Sequence, residues 1–191
     1  MGAMTDSALL VVRLTLAAVF IVHGGQKLFK WMGGTGVQGL AESLGKRGAL
    51  PALRYPLAWM AAFSEFGAGS LALLGLLTPL AGALVISVML VAIMDVHFRN
   101  GFLNSNRGYE FNLSLIALAL VLALLGGGSW SLDAALGLSA HLTGSLSQDF
   151  IWVPVLLVLV ALGGVVLNVL ARALNHGGQP SAAGGQQSAS K

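Results

Sequence analysis

Five stretches of this chain are apolar over 17 residues or more: Leu9 to Phe29, Pro56 to Leu77, Pro79 to His97, Tyr109 to Leu125 and Phe150 to Leu170. Crossing the hydrocarbon core of a bilayer as a helix takes about 20 apolar residues. A helix on a soluble protein alternates an apolar stripe with a polar face, whereas these runs are apolar nearly all round, as lipid-facing helices are. Charged residues make up 9% of the chain, against roughly 25% in a soluble domain. Soluble and disordered classes are excluded, and the expected class is all-α and polytopic in the membrane. The turn at Leu76-Leu77-Thr78-Pro79-Leu80 joins the second and third runs, with proline in the first helical turn, where its missing N–H costs little.

A net charge of +3 with a pI near 9.7 does not point to nucleic acid, because the ten Lys and Arg residues lie beside the apolar runs. One side carries Lys30, Lys46, Arg47, Arg54, Arg99, Arg107, Arg172 and Lys191; the other carries Asp6, Asp133 and Asp149 and no basic residue outside the runs. The positive-inside rule makes the basic side cytoplasmic. Five spans then put the N-terminus outside and the C-terminus in the cytoplasm, and the expected location is the inner membrane, multi-pass. Met1 to Ala3 are set aside as a start-site remnant, and no cleaved signal peptide is expected, since no basic region precedes the first run. The absence of cysteine excludes disulfides, thiol relays and thiolate metal sites within these 191 residues.

Between the first two spans, Val37, Leu40, Ala41 and Leu44 recur at helical spacing with Glu42, Lys46 and Arg47 opposite, before Gly48 and Pro51 stop the pattern. This predicts an interfacial helix over about 36–47. The additional transmembrane helix is expected over 150–172. The Gly-, Ser-, Gln- and Ala-rich tail over 176–191 lacks the apolar residues for a core and is expected to be disordered.

Ionisable residues inside apolar spans need a partner or a function. Arg13 lies one turn inside the outer end of the first span and is expected to snorkel outward, since helical side chains lean toward the N-terminus. His23 and Lys27, four apart, share a face at the cytoplasmic end of the same span. Glu65 lies nine residues into the second span, about 13 Å at 1.5 Å per residue, and leans toward Lys27. In the third span Asp95 is placed to pair with Arg99 at i+4, leaving His97 on another face. The fourth opens with Gly108-Tyr109-Glu110-Phe111-Asn112. His23, Lys27, Glu65, His97, Arg99, Tyr109 and Glu110 are therefore the candidate ligand-binding residues of a polar pocket at one end of the bundle. The competing reading is ion pairs that lock the helices together. No metal-ligand spacing is present. Gly67, Gly69 and Gly75 are expected to let helices approach closely.

In order, His23-Gly24 with Lys27-Leu28, Glu65 with Gly69 and Leu73-Leu74-Gly75, Ala92 with His97, Asn100-Gly101-Phe102, Gly108-Tyr109-Glu110-Phe111, and Gly126 and Gly128 before Ser131-Leu132-Asp133 resemble the DoxX family of small bacterial membrane proteins. The resemblance covers roughly residues 8–134 and implies a four-helix membrane bundle, here with a fifth C-terminal helix in addition. It also implies a link to quinone-coupled oxidation of reduced sulfur compounds, or to membrane redox complexes with soluble partners. The expected role is a membrane subunit of a redox system that binds a quinone or small sulfur compound. Lys27, Arg99 and Arg107 would attract the ligand, and Glu65, His23, His97 and Glu110 would carry protons. No covalent cofactor is expected, electrons would come from soluble partner proteins, and catalysis by the chain alone is not expected. Two alternatives remain open: a small-solute or proton transporter, against which stands the lack of an inverted repeat, and a scaffold that recruits soluble redox enzymes. Association into a homo-oligomer is also left open.

Overall fold

The computed structural model describes residues 2–139, together with residues 155 and 159. Apart from those two residues, the expected fifth span and the tail lie outside the described part. The described elements are helices and turns: α1 (Ala3–Leu28), α2 (Gly36–Lys46), α3 (Arg54–Leu74), α4 (Thr78–Ala92), α5 (Glu110–Leu125) and the single turn α6 (Leu132–Ala135). Helix α1 packs along α3, α3 on α4, α4 on α5, and α5 back on α1, which closes a four-helix bundle. Three helical stretches, Ala3–Leu28, Pro51–Leu74 and Thr78–Asn100, are long and apolar enough to cross a membrane, and Glu110–Leu125 is a shorter apolar helix. Helix α1 begins at Ala3, six residues ahead of the expected Leu9, because nothing in Met4 to Ala8 breaks a helix.

The core is built from Leu16 and Phe20 of α1, Ala68 and Ala72 of α3, Ala81 and Val85 of α4, and Leu115, Ala119 and Leu122 of α5. In lipid, burying apolar side chains between helices gains little over leaving them in acyl chains, so close backbone packing of small residues carries the association. A Cβ on Gly24 would lie 2.5 Å from the backbone nitrogen of Phe66, and one on Gly69 would lie 2.7 Å from that of Ile21. These glycines set the distance between α1 and α3. Gly82 does the same for α4 and α5, where a Cβ would fall 2.7 Å from the carbonyl of Ala119. Gly67 is the exception among the expected glycines: nothing lies within 4 Å of a Cβ built on it, because it sits on a face of α3 away from α1.

Gly75 ends α3 in the left-handed conformation (φ +63°), and Leu77 follows at φ 47°, a region that costs a Cβ-bearing residue free energy. Asp133 compensates for that strain. Its carboxylate accepts from the N–H of Leu77 at 2.7 Å, and from the N–H and hydroxyl of Thr78 at 2.9 and 2.8 Å. The N-terminus of α4 is thus capped by a residue 55 positions away. At the other end, α4 gives way to a π turn over Ile93–His97 and then a 3-10 turn over Phe98–Asn100.

The segment expected to be an interfacial helix over about 36–47 forms α2, Gly36–Lys46. Ala41 is buried, and Val37, Leu40 and Leu44 are partly buried on the side toward α3 and α1, while Glu42 and Lys46 are exposed.

Candidate functional site

Because Gly24 and Gly69 bring α1 and α3 into backbone contact, the side chains beyond them on the two helices meet. Lys27, in the last turn of α1, forms an ion pair with Glu65, the buried carboxylate of α3 (8% exposed). Each charge alone would be costly among apolar helices; together they are compensated. The Phe29, Trp31 and Phe66 rings gather next to the pair, with centroids 5.1 to 6.1 Å apart. The Trp31 ring lies where a side chain on Gly25 would be, 2.1 Å from a built Cβ, so only glycine at that position admits the indole against α1. The result is an ion pair with aromatic rings beside it, at the end of the bundle where α1 stops.

His23 does not join this pair. It is exposed on α1, one turn before Lys27. Sharing a face of the helix with Lys27 is not enough to bring it to Glu65.

The remaining candidates belong to two further groups. Asp95 pairs with Arg47 (Oδ2 to Nη1, 2.8 Å), which ties the end of α2 to the end of α4. This corrects the expected Asp95–Arg99 pairing: the i+4 spacing assumes α-helical geometry, and the backbone here is a π turn running into a 3-10 turn. Arg99 is exposed in that 3-10 turn. His97 Nδ1 donates to the Arg107 carbonyl at 2.6 Å, which places the proton of a neutral ring on Nδ1 and leaves Nε2 as an acceptor. Asn100 donates to the same carbonyl at 3.1 Å. The Glu110 carboxylate accepts from the backbone N–H of Asn104 at 2.9 Å, and Tyr109 packs its ring against Phe98 and Phe102. His97, Tyr109 and Glu110 therefore hold the 98–109 loop in shape. Of the seven expected residues, the structure brings only Lys27 and Glu65 into direct contact with one another.

The opposite end of the bundle holds polar residues whose role sequence reasoning missed. Arg13 is 3% exposed. Its guanidinium donates to the carbonyls of Ala72 (2.9 Å), Leu73 (2.7 Å), Gly127 (3.2 Å) and Trp130 (2.6 Å). It does not snorkel: α3 ends and the 126–131 turn folds over it, so carbonyls surround the guanidinium before it reaches an interface. A Cβ on Gly75 would fall 2.5 Å from that guanidinium, a second reason for glycine there. Asp6 accepts from the N–H of Ser129 at 2.8 Å, and Asp133 caps α4 as described. The only signal in the sequence was glycines, Ser131 and Asp133 following one another, which reads equally well as an ordinary turn. A further, partly buried polar contact joins Asn112 Nδ2 on α5 to the Met89 sulfur on α4 at 3.3 Å.

No curated protein and no solved structure matches the chain. The family model described as DoxX matches residues 8–98. That match runs from α1 through the π turn after α4 and includes both Lys27 and Glu65. The motifs from Asn100 to Asp133 lie beyond it. Joined to several apolar helices, it points to a multi-pass membrane protein, and the match over residues 8–98 supports membership of the DoxX family.

Proposed function

We propose that the protein is a membrane subunit of a redox system, and that it takes a quinone or a small sulfur compound against Lys27 and Glu65. DoxX-family proteins are often linked to redox processes or thiosulfate oxidation. The observation that carries the reading to particular residues is the Lys27–Glu65 ion pair inside apolar helices. Interhelical polar contacts in membranes average only about 0.6 kcal/mol, so an ion pair is poor value as glue alone, while ionisable groups at such positions commonly mark ligand or proton paths. Lys27 has three N–H donors and uses one on Glu65, so others are left for a carbonyl or sulfoxy oxygen. Glu65 exchanges a proton with the ligand. The neighbouring Trp31 and Phe29 rings offer flat apolar surface to a quinone ring. Electrons pass to or from a partner redox protein.

Binding of a short-chain ubiquinone analogue and of thiosulfate to the purified full chain in detergent tests the reading. Lys27→Met is expected to weaken binding of the true ligand at least tenfold, and Glu65→Gln less. The double variant Lys27→Met with Glu65→Gln should fold, because both charges leave together, and should remain unable to bind. Wild-type binding by the double variant would make the pair a structural tie and overturn the assignment. Solute flux across proteoliposomes with no redox partner would favour a transporter instead.

A further inference from the structure

The geometry points to a second binding site, for the headgroup of an anionic phospholipid, on the loop between α4 and α5. The loop carries Arg99 and Arg107, both exposed, among three apolar side chains that are also largely exposed: Phe98 (66%), Phe102 (51%) and Leu103 (55%). Large apolar groups beside exposed guanidiniums, at the end of a membrane-spanning bundle, match the boundary where lipid phosphates give way to acyl chains.

The loop is built to hold this shape. The carbonyl of Arg107 accepts from His97 and from Asn100, the residues on either side of Phe98 and Arg99, so the two arginines spring from one small stretch of backbone. Arg107 itself sits in the left-handed region at φ 59°. Tyr109 and Glu110 donate their N–H groups to the carbonyls of Gly101 and Phe102. Gly108 is buried against the carbonyls of Gly101, Phe102 and Leu103, with 2.2 to 2.7 Å left for a Cβ. Each of these contacts removes freedom that a ligand would otherwise have to remove on binding.

Charge favours an anion. The acid within the loop's closure, Glu110, accepts from the Asn104 N–H, and Asp95 is paired with Arg47. The same end of the bundle also carries Lys30 and Lys46 on the 29–53 segment and Arg54 at the start of α3. Phosphate is recognised by paired guanidiniums, and the exposed Phe and Leu side chains select a phosphate that carries acyl chains over a free one. This site stands apart from Lys27 and Glu65, and its failure would leave the redox reading untouched.

Native mass spectrometry of the full chain, released from micelles doped with phosphatidylglycerol or phosphatidylcholine, gives the test. Each basic residue near an anionic surface contributes a factor of about five, so wild type should retain phosphatidylglycerol over phosphatidylcholine by about twentyfold. Arg99→Gln with Arg107→Gln should bring that ratio to near one. Arg99→Lys with Arg107→Lys keeps the charge and should hold an intermediate ratio, which guards against a folding defect in the first variant. Lys46→Gln on α2 should leave most of the preference in place. A wild-type ratio near one would overturn the proposal, as would a preference that survives Arg99→Gln with Arg107→Gln. Displacement of the lipid by millimolar inorganic phosphate would show a site for the free anion and would equally overturn it.

Discussion

Replacing Arg13 with methionine removes a guanidinium that bonds four backbone carbonyls at 2.6 to 3.2 Å, and keeps most of its apolar stem. Polar contacts between membrane helices average about 0.6 kcal/mol and reach about 1.7 kcal/mol. Four of them therefore span about 2.4 to 7 kcal/mol. A charged donor in a buried setting belongs above the average, so the expected loss is about 3 to 5 kcal/mol. Lysine keeps the charge but offers one nitrogen, which reaches the α3 carbonyls or the 127–130 turn and not both; Arg13→Lys should lose about half as much. Stability is measured on the full chain by titrating a mild detergent with a denaturing one and following tryptophan emission. Trp130, whose carbonyl is one of the acceptors, serves as a local reporter. A loss below about 0.5 kcal/mol for Arg13→Met, or equal losses for Met and Lys, would refute a clamp in which each carbonyl counts. If Arg13 instead snorkelled, both substitutions would be nearly silent.

Gly24→Ala should destabilise the bundle by about 2 to 3 kcal/mol, because its methyl would meet the Phe66 backbone and overpacking has to move a helix. Gly67→Ala, with open space around it, should be neutral or stabilising by up to about 1 kcal/mol through helix propensity; the same detergent titration reads both, and equal effects would contradict the packing described. Arg47→Ala should loosen α2 from the end of α4. With Ala41→Cys as the single thiol in a cysteine-free chain, its reaction with a maleimide should speed up at least fivefold, and an unchanged rate would show that the ion pair does not hold α2 down.

The bundle itself was legible in the sequence because membrane helices announce themselves by length and by the near absence of charge, and both survive in a single chain without context. Helix α2 was legible for a different reason: four apolar residues at helical spacing leave it one way to face. The Lys27–Glu65 contact followed from depth and from the lean of side chains along antiparallel helices. Three things were not legible. The π turn at Ile93–His97 broke the i+4 rule on which the Asp95–Arg99 pairing rested, and no residue in Ile-Met-Asp-Val-His signals a π turn. His23 shares a helical face with Lys27 yet is exposed, because which residues of a face are covered depends on how α1 packs. Apart from the Thr78 hydroxyl, Arg13 and Asp133 bond to backbone groups, which every residue has, so no spacing of side-chain types could reveal them.

The two ends of the bundle consequently differ in mechanical character. At the Arg13 end, side chains of α1 and of the segment after α5 grip the backbone where α3 stops and α4 starts, so sliding any one helix there breaks several buried bonds at once. At the Lys27 end, among the described residues, the side-chain ties are ion pairs between flexible side chains, Lys27 with Glu65 and Arg47 with Asp95, and none of them grips a helix backbone. The molecule is clamped like a tuning fork at its base, with its compliance at the tips, where Lys27 and Glu65 lie.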